Sequence, residues 1–266
     1  MTLKLTILGC GSSAGVPRVG VGWGACDPEN PKNRRRRCSI LVERTVPGHA
    51  STSVLVDTTP DLRDQLLEAD VKRLDAVLYT HEHADHIHGI DDLRPLAIVM
   101  HKRIPVYADR MTAELLQMRF GYCFKTPAGS SYPPILEMRP LIPGVMTSLP
   151  GPSGPVEAVP FRMLHGDIDA LGFRFGSVAY APDVSRMPEE SLGYLEGLEV
   201  LIIDALRHTP HPTHFSVSEA LDLIGKVRPK RAILTNLHTD LDYEALRREL
   251  PAAIEPAYDG LQIEVP

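Results

Sequence analysis

Five of the six side chains in the run His81-Glu82-His83-Ala84-Asp85-His86 are of metal-ligand type. Imidazole and carboxylate donors suit Zn2+, Mn2+ or Fe, provided that a rigid element holds them close together. The alternate spacing of His81 and His83 lets both lean toward one ion from an extended segment, while Asp85 and His86 follow at once and can serve a second. The run comes just after Ala76-Val77-Leu78-Tyr79, a short apolar stretch that reads as a buried strand. A polar loop with chance histidines is the bland alternative. It does not explain so dense a set of donors at a strand end, so the run is read as a metal site.

A dinuclear site needs more ligands than one run supplies. His165 follows Pro160-Phe161-Arg162-Met163-Leu164, Asp183 follows Ser177 to Pro182, and His238 follows Ala232 to Leu237. Each closes an apolar run, where a side chain projects from a fixed backbone into a shared cleft. Singly, each reads equally well as a solvated strand end or a satisfied core residue; together with the first run they form a constellation.

The elements that must position these residues are mostly strands. β-type runs span residues 3–8, 39–43, 53–57, 76–80, 106–108, 159–164, 172–175, 177–180, 200–204, 232–236 and 261–265. Helical spacing marks 61–68, 113–120, 189–195, 217–226 and 243–250. Ser216, with Glu219 three residues on, forms a plausible capping box at the start of the fourth of these helices. Strands in both halves with helices interspersed predict an α/β architecture of two packed sheets with helices outside, rather than a doubly wound parallel sheet. The stretch Pro143 to Pro155 resembles a linker, but the candidate ligands lie on both sides of it. It is read as a surface loop, and residues 1–266 as a single domain.

Bulk properties exclude some functions. A formal net charge of −6 argues against a general nucleic-acid coat. The opening residues lack the long apolar core of a secretory signal, and no apolar stretch reaches the length of a membrane span, so a cytoplasmic protein without membrane contact is expected. Cys10, Cys26, Cys38 and Cys123 are scattered, which makes a disulfide framework unexpected.

The H-x-H-x-D-H run, followed by isolated His, Asp and His in that order, resembles the metallo-β-lactamase superfamily of dinuclear hydrolases. GCGSSAGVP at 9–17, RRRRCS at 34–39, LVDTTPDLR at 55–63 and PAYDGLQIEV at 256–265 look most like its phosphodiesterase branch. That branch contains the phosphoribosyl 1,2-cyclic phosphate phosphodiesterase; the transfer-RNA 3′-processing endonucleases are more distant. The resemblance covers nearly the whole chain and implies an αββα sandwich of two mixed β-sheets with helices on the outer faces. It implies two divalent ions per chain, Zn2+ or Mn2+, with His81, His83 and His165 on one, Asp85, His86 and His238 on the other, and Asp183 bridging. Asp57 would orient ligands by hydrogen bonding. His214, just before a predicted helix, would be a general acid or phosphate stabiliser, which makes His214, Asp183 and Asp85 the candidate catalytic residues. Relatives in the branch hold a structural zinc in a cysteine cluster; here the loop keeps only Cys26, and one thiolate cannot complete a tetrahedral site.

The expected function is hydrolysis of a small cyclic phosphate, nucleotide or related phosphoester by metal-activated hydroxide. The alternatives are a thioester or lactone hydrolase of the same fold, and a non-catalytic nucleotide- or metal-binding protein. A small phosphoester is the expected partner, a nucleic acid is not, and a homodimer is expected. Arg34 to Arg37 reads either as a phosphate patch or, with more weight, as a solvated edge. The glycine-rich loop Gly9 to Gly15 is a weak candidate for anion binding. His88, Asp91, Asp92 and Arg94 lie near the ligand run and are candidates to line the substrate side.

Overall fold

The computed structural model describes residues 2–266. Among the described residues, fourteen strands form two seven-stranded sheets. In chain order they are β1 (Thr2–Gly9), β2 (Ser39–Thr45), β3 (Thr52–Val56), β4 (Ala76–Leu78), β5 (Ile104–Ala108), β6 (Leu136–Pro140) and β7 (Thr147–Leu149). There follow β8 (Val156–His165), β9 (Ile168–Phe175), β10 (Val178–Ala181), β11 (Val200–Asp204), β12 (Arg231–Thr235), β13 (Ile254–Pro256) and β14 (Gln262–Val265). The helices are α1 (Leu62–Glu68), α2 (Ala84–Ile87), α3 (Arg94–Met100), α4 (Arg110–Phe124), α5 (Glu189–Leu192), α6 (Val217–Val227) and α7 (Tyr243–Glu249).

The sheets run β14-β1-β2-β3-β4-β5-β6 and β13-β12-β11-β10-β9-β8-β7. Each is half parallel and half antiparallel. Strands β3 to β6 run parallel in the first sheet, and β10 to β13 in the second. Strand residues alternate between two buried faces because successive side chains point to opposite sides. Ile40, Val42, Val54 and Val56 face inward and meet Phe173, Phe175, Tyr180, Ile202 and Ile233 from the other sheet. Leu41, Leu55 and Val77 face outward under Leu62, Leu66 and Leu116 of α1 and α4. On the opposite face Leu201, Ile203 and Leu234 lie under Ala220, Leu223 and Ile224 of α6. Helices therefore cover both outer faces, which is the αββα sandwich expected from the sequence.

Helix α6 begins at the predicted capping box, with both reciprocal bonds formed between Ser216 and Glu219. Such a cap stabilises a helix by about 1 kcal/mol. Helices α2 and α3 and strands β6, β7 and β13 were not among the sequence expectations. The stretch read as a surface loop, 143–155, contains β7, which pairs with β8 and buries Leu149. Prolines and glycines obscured a strand only three residues long. Among the described residues no helix is long and apolar enough to cross a membrane.

The C-terminal ends of the parallel strands of both sheets open toward one edge of the sandwich. Open α/β sheets bind ligands at this end of their strands. Asp57 follows β3, the His81 to His86 run follows β4, Asp183 follows β10, Asp204 ends β11, and His238 comes soon after β12. β8 is antiparallel in its sheet and delivers His165 as its last residue.

Candidate metal centre

His81, His83 and His165 bring their ring nitrogens within 4.8 Å of one another. His81, His86 and Asp183 form a second group by the same measure, and His165, Asp183 and His214 a third. Asp183 is common to two of these groups. Its Oδ2 lies 3.0 Å from His86 Nε2, 3.5 Å from His81 Nε2 and 3.9 Å from His165 Nε2. Its Oδ1 accepts from Asn236 Nδ2 at 2.9 Å, which fixes the carboxylate plane.

Supporting hydrogen bonds turn the imidazoles inward. His86 Nδ1 donates to Asp57 Oδ2 at 2.7 Å. Asp57 also accepts from Thr80 N and Thr80 Oγ1, both at 2.8 Å. With its proton committed to Asp57, the Thr80 hydroxyl oxygen accepts from His81 Nδ1 at 3.0 Å. His165 Nδ1 donates to Thr213 O at 2.6 Å. These tautomers follow from the partners present. They leave the Nε2 atoms of His81, His86 and His165 facing the centre, the arrangement that ligating histidines require. Asp57 sits at φ 65°, a left-handed backbone that aspartate tolerates better than most residues.

The electrostatics belong to a cation site. Burial pushes His81 well below the ordinary imidazole range, with the neighbouring imidazoles adding to the effect against Asp183. Burial lowers His165 as well. Burial opposes charge on His86, but Asp183, Asp85 and Asp57 together outweigh it and hold its pKa well up. Burial opposes ionisation of Asp183, yet the surrounding histidines keep it ionised far below the usual carboxylate range. His81 Nε2 is buried without a hydrogen-bond partner. A buried lone pair with no donor is costly unless a cation meets it. His81, His83, His86, His165 and Asp183 therefore fit divalent metal ions.

The family model described as a beta-lactamase superfamily domain matches residues 52–236, which contain every member of these clusters. The chain belongs to the metallo-β-lactamase superfamily. The donor cluster is of the kind that holds divalent metal ions. A crystal structure described as a new diphosphatase from the PhnP family is 38% identical, covers 100% of this chain and 98% of that one, and superposes with a TM-score of 0.88. Zn2+-bound PqqB from Methylobacterium extorquens, 17% identical over 98% of this chain and 99% of its own, has a TM-score of 0.73 and shares the fold. Among curated proteins, an octanoyltransferase of Porphyromonas gingivalis is 34% identical over 265 residues, covering 98% of this chain. The chain spans about half the length of that relative, 51%.

Not every residue expected in the superfamily's site sits in the clusters. Asp85 Oδ2 stands 3.5 Å from His86 Nε2, at the edge of the second group. His238 lies apart from all three groups. Its Nε2 accepts from Arg18 Nη1 and its Nδ1 faces Asp240 Oδ1 at 3.1 Å. His214 shares a group with two candidate ligands, His165 and Asp183.

Asp204 is a functional candidate that the sequence reading passed over. It is fully buried at the end of β11 and its Oδ2 accepts from His214 Nδ1 at 2.8 Å. Burial works against charge on His214, but Asp204 raises its pKa to about 9. The signal was present: Asp204 closes an apolar run just as His165 and Asp183 do.

Three weaker expectations resolve differently from the reading. The arginine run is neither a phosphate patch nor a simple solvated edge. Arg35 is 2% exposed, Arg36 pairs with Glu68 and Arg37 with Asp61, and Arg34 lies over the Trp23 ring at 5.2 Å. In the glycine-rich loop the N–H groups of Gly11, Ser12 and Gly15 are taken by backbone carbonyls, so they form no anion nest. His88 packs edge-on against Phe120 of α4 at 5.9 Å, and Asp91 pairs with Arg94 at 2.6 Å. All four cysteines are free and buried, in line with the absence of a disulfide framework.

Proposed function

We propose that the protein hydrolyses a small phosphodiester or diphosphate ester, using two divalent cations, Zn2+ or Mn2+. The observation that carries this reading is the Asp204–His214 pair beside Asp183. Asp204 holds the Nδ1 proton of His214, which leaves Nε2 as the atom free to face a leaving group. An alkoxide or phosphate leaving group needs that proton, whereas a thiolate departs without it. The raised pKa keeps the imidazole protonated at neutral pH and ready to donate. The diphosphatase likeness, at 38% identity over the entire chain, points to the same reaction centre.

When bound, the cations would be held by His81, His83, His86, His165 and Asp183 and would supply Lewis acidity toward phosphoryl oxygens and an acidified water. The chain's own residues do the rest. Asp57 and Thr80 fix His81 and His86, Thr213 O fixes His165, and Asn236 fixes Asp183. His214 donates the proton to the departing oxygen, and Asp204 stabilises the imidazolium before transfer and holds the ring's tautomer and orientation.

Acyl transfer, the activity named for the longer curated relative, has less support. Burial pushes the thiols of Cys10, Cys26, Cys38 and Cys123 upward. None of them offers a ready thiolate to carry an acyl group. The test is a screen of metal-loaded protein against bis(p-nitrophenyl) phosphate, cyclic nucleotides, cyclic ribose phosphates, diphosphate esters and a thioester panel. Turnover confined to phosphoesters is expected. Turnover confined to thioesters would overturn the reading.

A further inference from the structure

The segment His211-Pro212-Thr213-His214 serves the centre through more than its last residue. Thr213 O receives the Nδ1 proton of His165 at 2.6 Å. Thr213 N donates to His211 Nδ1 at 3.3 Å, and Thr213 Oγ1 lies 3.2 Å from the same nitrogen. One residue thus orients a candidate ligand through its carbonyl and His211 through its amide. The segment has little room to move. Pro210 and Pro212 flank His211 and restrict the backbone on both sides. Arg207 Nε and Nη2 donate to Thr209 O at 3.2 Å and Pro210 O at 3.0 Å, which ties down the chain just before it. The turn between β8 and β9 presses on Thr213, since a Cβ at Gly166 would lie 2.6 Å from Thr213 Cγ2.

These contacts give His211 a defined chemical form. A backbone N–H can only donate, so Nδ1 is the accepting nitrogen and the ring proton sits on Nε2. Burial, with His214, Arg207 and His238 adding to it, holds its pKa below the ordinary imidazole range, so the ring is neutral at neutral pH. Nε2 has no hydrogen-bond partner among the described residues, and the side chain is only half-buried. The His211 ring centroid lies 5.3 Å from that of His214, which lies 4.6 Å from that of His165. His165 and His214 share a donor cluster and His211 belongs to none. The three rings therefore run from a candidate ligand, through the proton donor, to a free N–H.

We propose that His211 Nε2 donates a hydrogen bond to the leaving group, at an oxygen beside the departing one, so that the enzyme prefers leaving groups carrying a hydroxyl or carbonyl oxygen at that place. The inference rests on the phosphoester reading above and deepens it by naming the class of leaving group. The phosphoryl oxygens belong at the clustered ligands and the departing oxygen at His214, so a donor beside His214 and outside the clusters meets what departs. A neutral N–H brings no charge and selects by position alone. Sugars and glycerol carry an oxygen on the carbon next to the ester oxygen, whereas simple alkyl and aryl groups do not. Because the ring is already fixed, little freedom is lost when the bond forms.

The test uses methyl o-nitrophenyl phosphate and methyl p-nitrophenyl phosphate. They release phenols of nearly equal acidity, and only the first sets a nitro oxygen beside the departing atom. In His211→Ala the ratio of kcat/KM for the ortho ester to that for the para ester should fall about fivefold, the loss of one neutral hydrogen bond. His211→Phe, which keeps a ring without the N–H, should show the same fall, and His211→Gln, which restores a side-chain N–H, should recover part of it. Metal content and the limb of the pH profile set by His214 should not change. Calorimetry adds a readout without turnover: with metal-loaded His211→Ala, binding of o-methoxyphenyl phosphate should weaken about fivefold relative to that of p-methoxyphenyl phosphate. An unchanged ratio would overturn the proposal. Equal losses on both esters, a shifted pH profile or a fall in metal content would overturn it too, since His211 would then act on His214 or on the fold. If the unaltered protein turns over neither ester, the phosphoester reading fails, and the two methoxyphenyl phosphates still decide for or against His211.

Discussion

The two sheets furnish the centre in opposite ways. The first delivers His81, His83, Asp85 and His86 from one loop after β4, with Asp57 beneath them from the end of β3. The second delivers His165, Asp183 and Asp204 one at a time, from or just beyond the ends of β8, β10 and β11. Contiguity fixes the first set: residues one or two apart cannot drift far from each other. Strand register fixes the second, since Val178 to Ala181 of β10 must stay aligned with Val200 to Ile203 of β11 for Asp183 and Asp204 to meet His214. The first half of the site is thus held locally and tolerates little change in its own loop. The second is held by the packing of a whole sheet.

Substitutions can break this contrast. The largest effect is expected at Asp183, the one carboxylate shared between clusters drawn from both sheets. Asp183→Ala should cut kcat/KM on the order of a thousandfold or more and lower metal occupancy, measured by elemental analysis, while near-UV circular dichroism keeps the native signature. The unaltered protein should bind two ions per chain, and a stoichiometry that stays near one at saturating metal would sink the two-ion reading.

Next in size is the pair from the second sheet. His214→Ala should lower turnover of an unactivated phosphodiester by about a hundredfold or more, and by much less when the leaving group is an activated phenol. Metal content should not follow the loss. Because the two residues act as a unit, Asp204→Asn should cost about as much as His214→Ala, and the double variant little more. Losses that simply multiply would refute the pairing.

The first sheet offers a smaller lever with a broader reach. Asp57→Ala frees His86 directly and His81 through Thr80, so one change should loosen two ligands. A loss of metal affinity on the order of ten- to a hundredfold is expected, read by competition with a chelator. Smallest is Ser216→Ala, which removes the cap of α6 two residues beyond His214. It should cost about 1 kcal/mol of stability in a denaturant titration and leave kcat within about twofold. A larger loss of activity would mean that the cap positions His214.

The same contrast governs what could be read before any coordinates. The His81 to His86 run declares itself, because donors so dense on one loop have few structural uses. His165 and Asp183 were legible only as polar residues ending apolar runs, a pattern that gains force when several occur together. Asp204 ends such a run too, yet it binds His214 rather than joining the ligand set, and nothing in one dimension separates those roles. The turn of His238 toward Arg18 depends on a contact across 220 residues, which no local pattern records. Short continuous apolar runs made the layered sheets legible, since both faces of each sheet meet apolar neighbours. The arginine run misled because charge in sequence suggests solvent; Arg35 is buried only because carbonyls of His238 and Leu241 and the Asn33 amide oxygen receive its guanidinium.

The pairing of β14 with β1 has a consequence for synthesis. Leu3 lies opposite Val265, and Leu5 opposite Ile263, so β1 has no outer partner until residues 262–265 have been made. Until then one edge of β1 offers unpaired amide and carbonyl groups to any other extended chain, a state that favours aggregation. Contacts of this sequence separation are slow to form, since a long loop must close before they stabilise anything. Slowed elongation or a nascent chain stalled before residue 262 should therefore yield an aggregation-prone species, even though every candidate metal ligand has by then been translated.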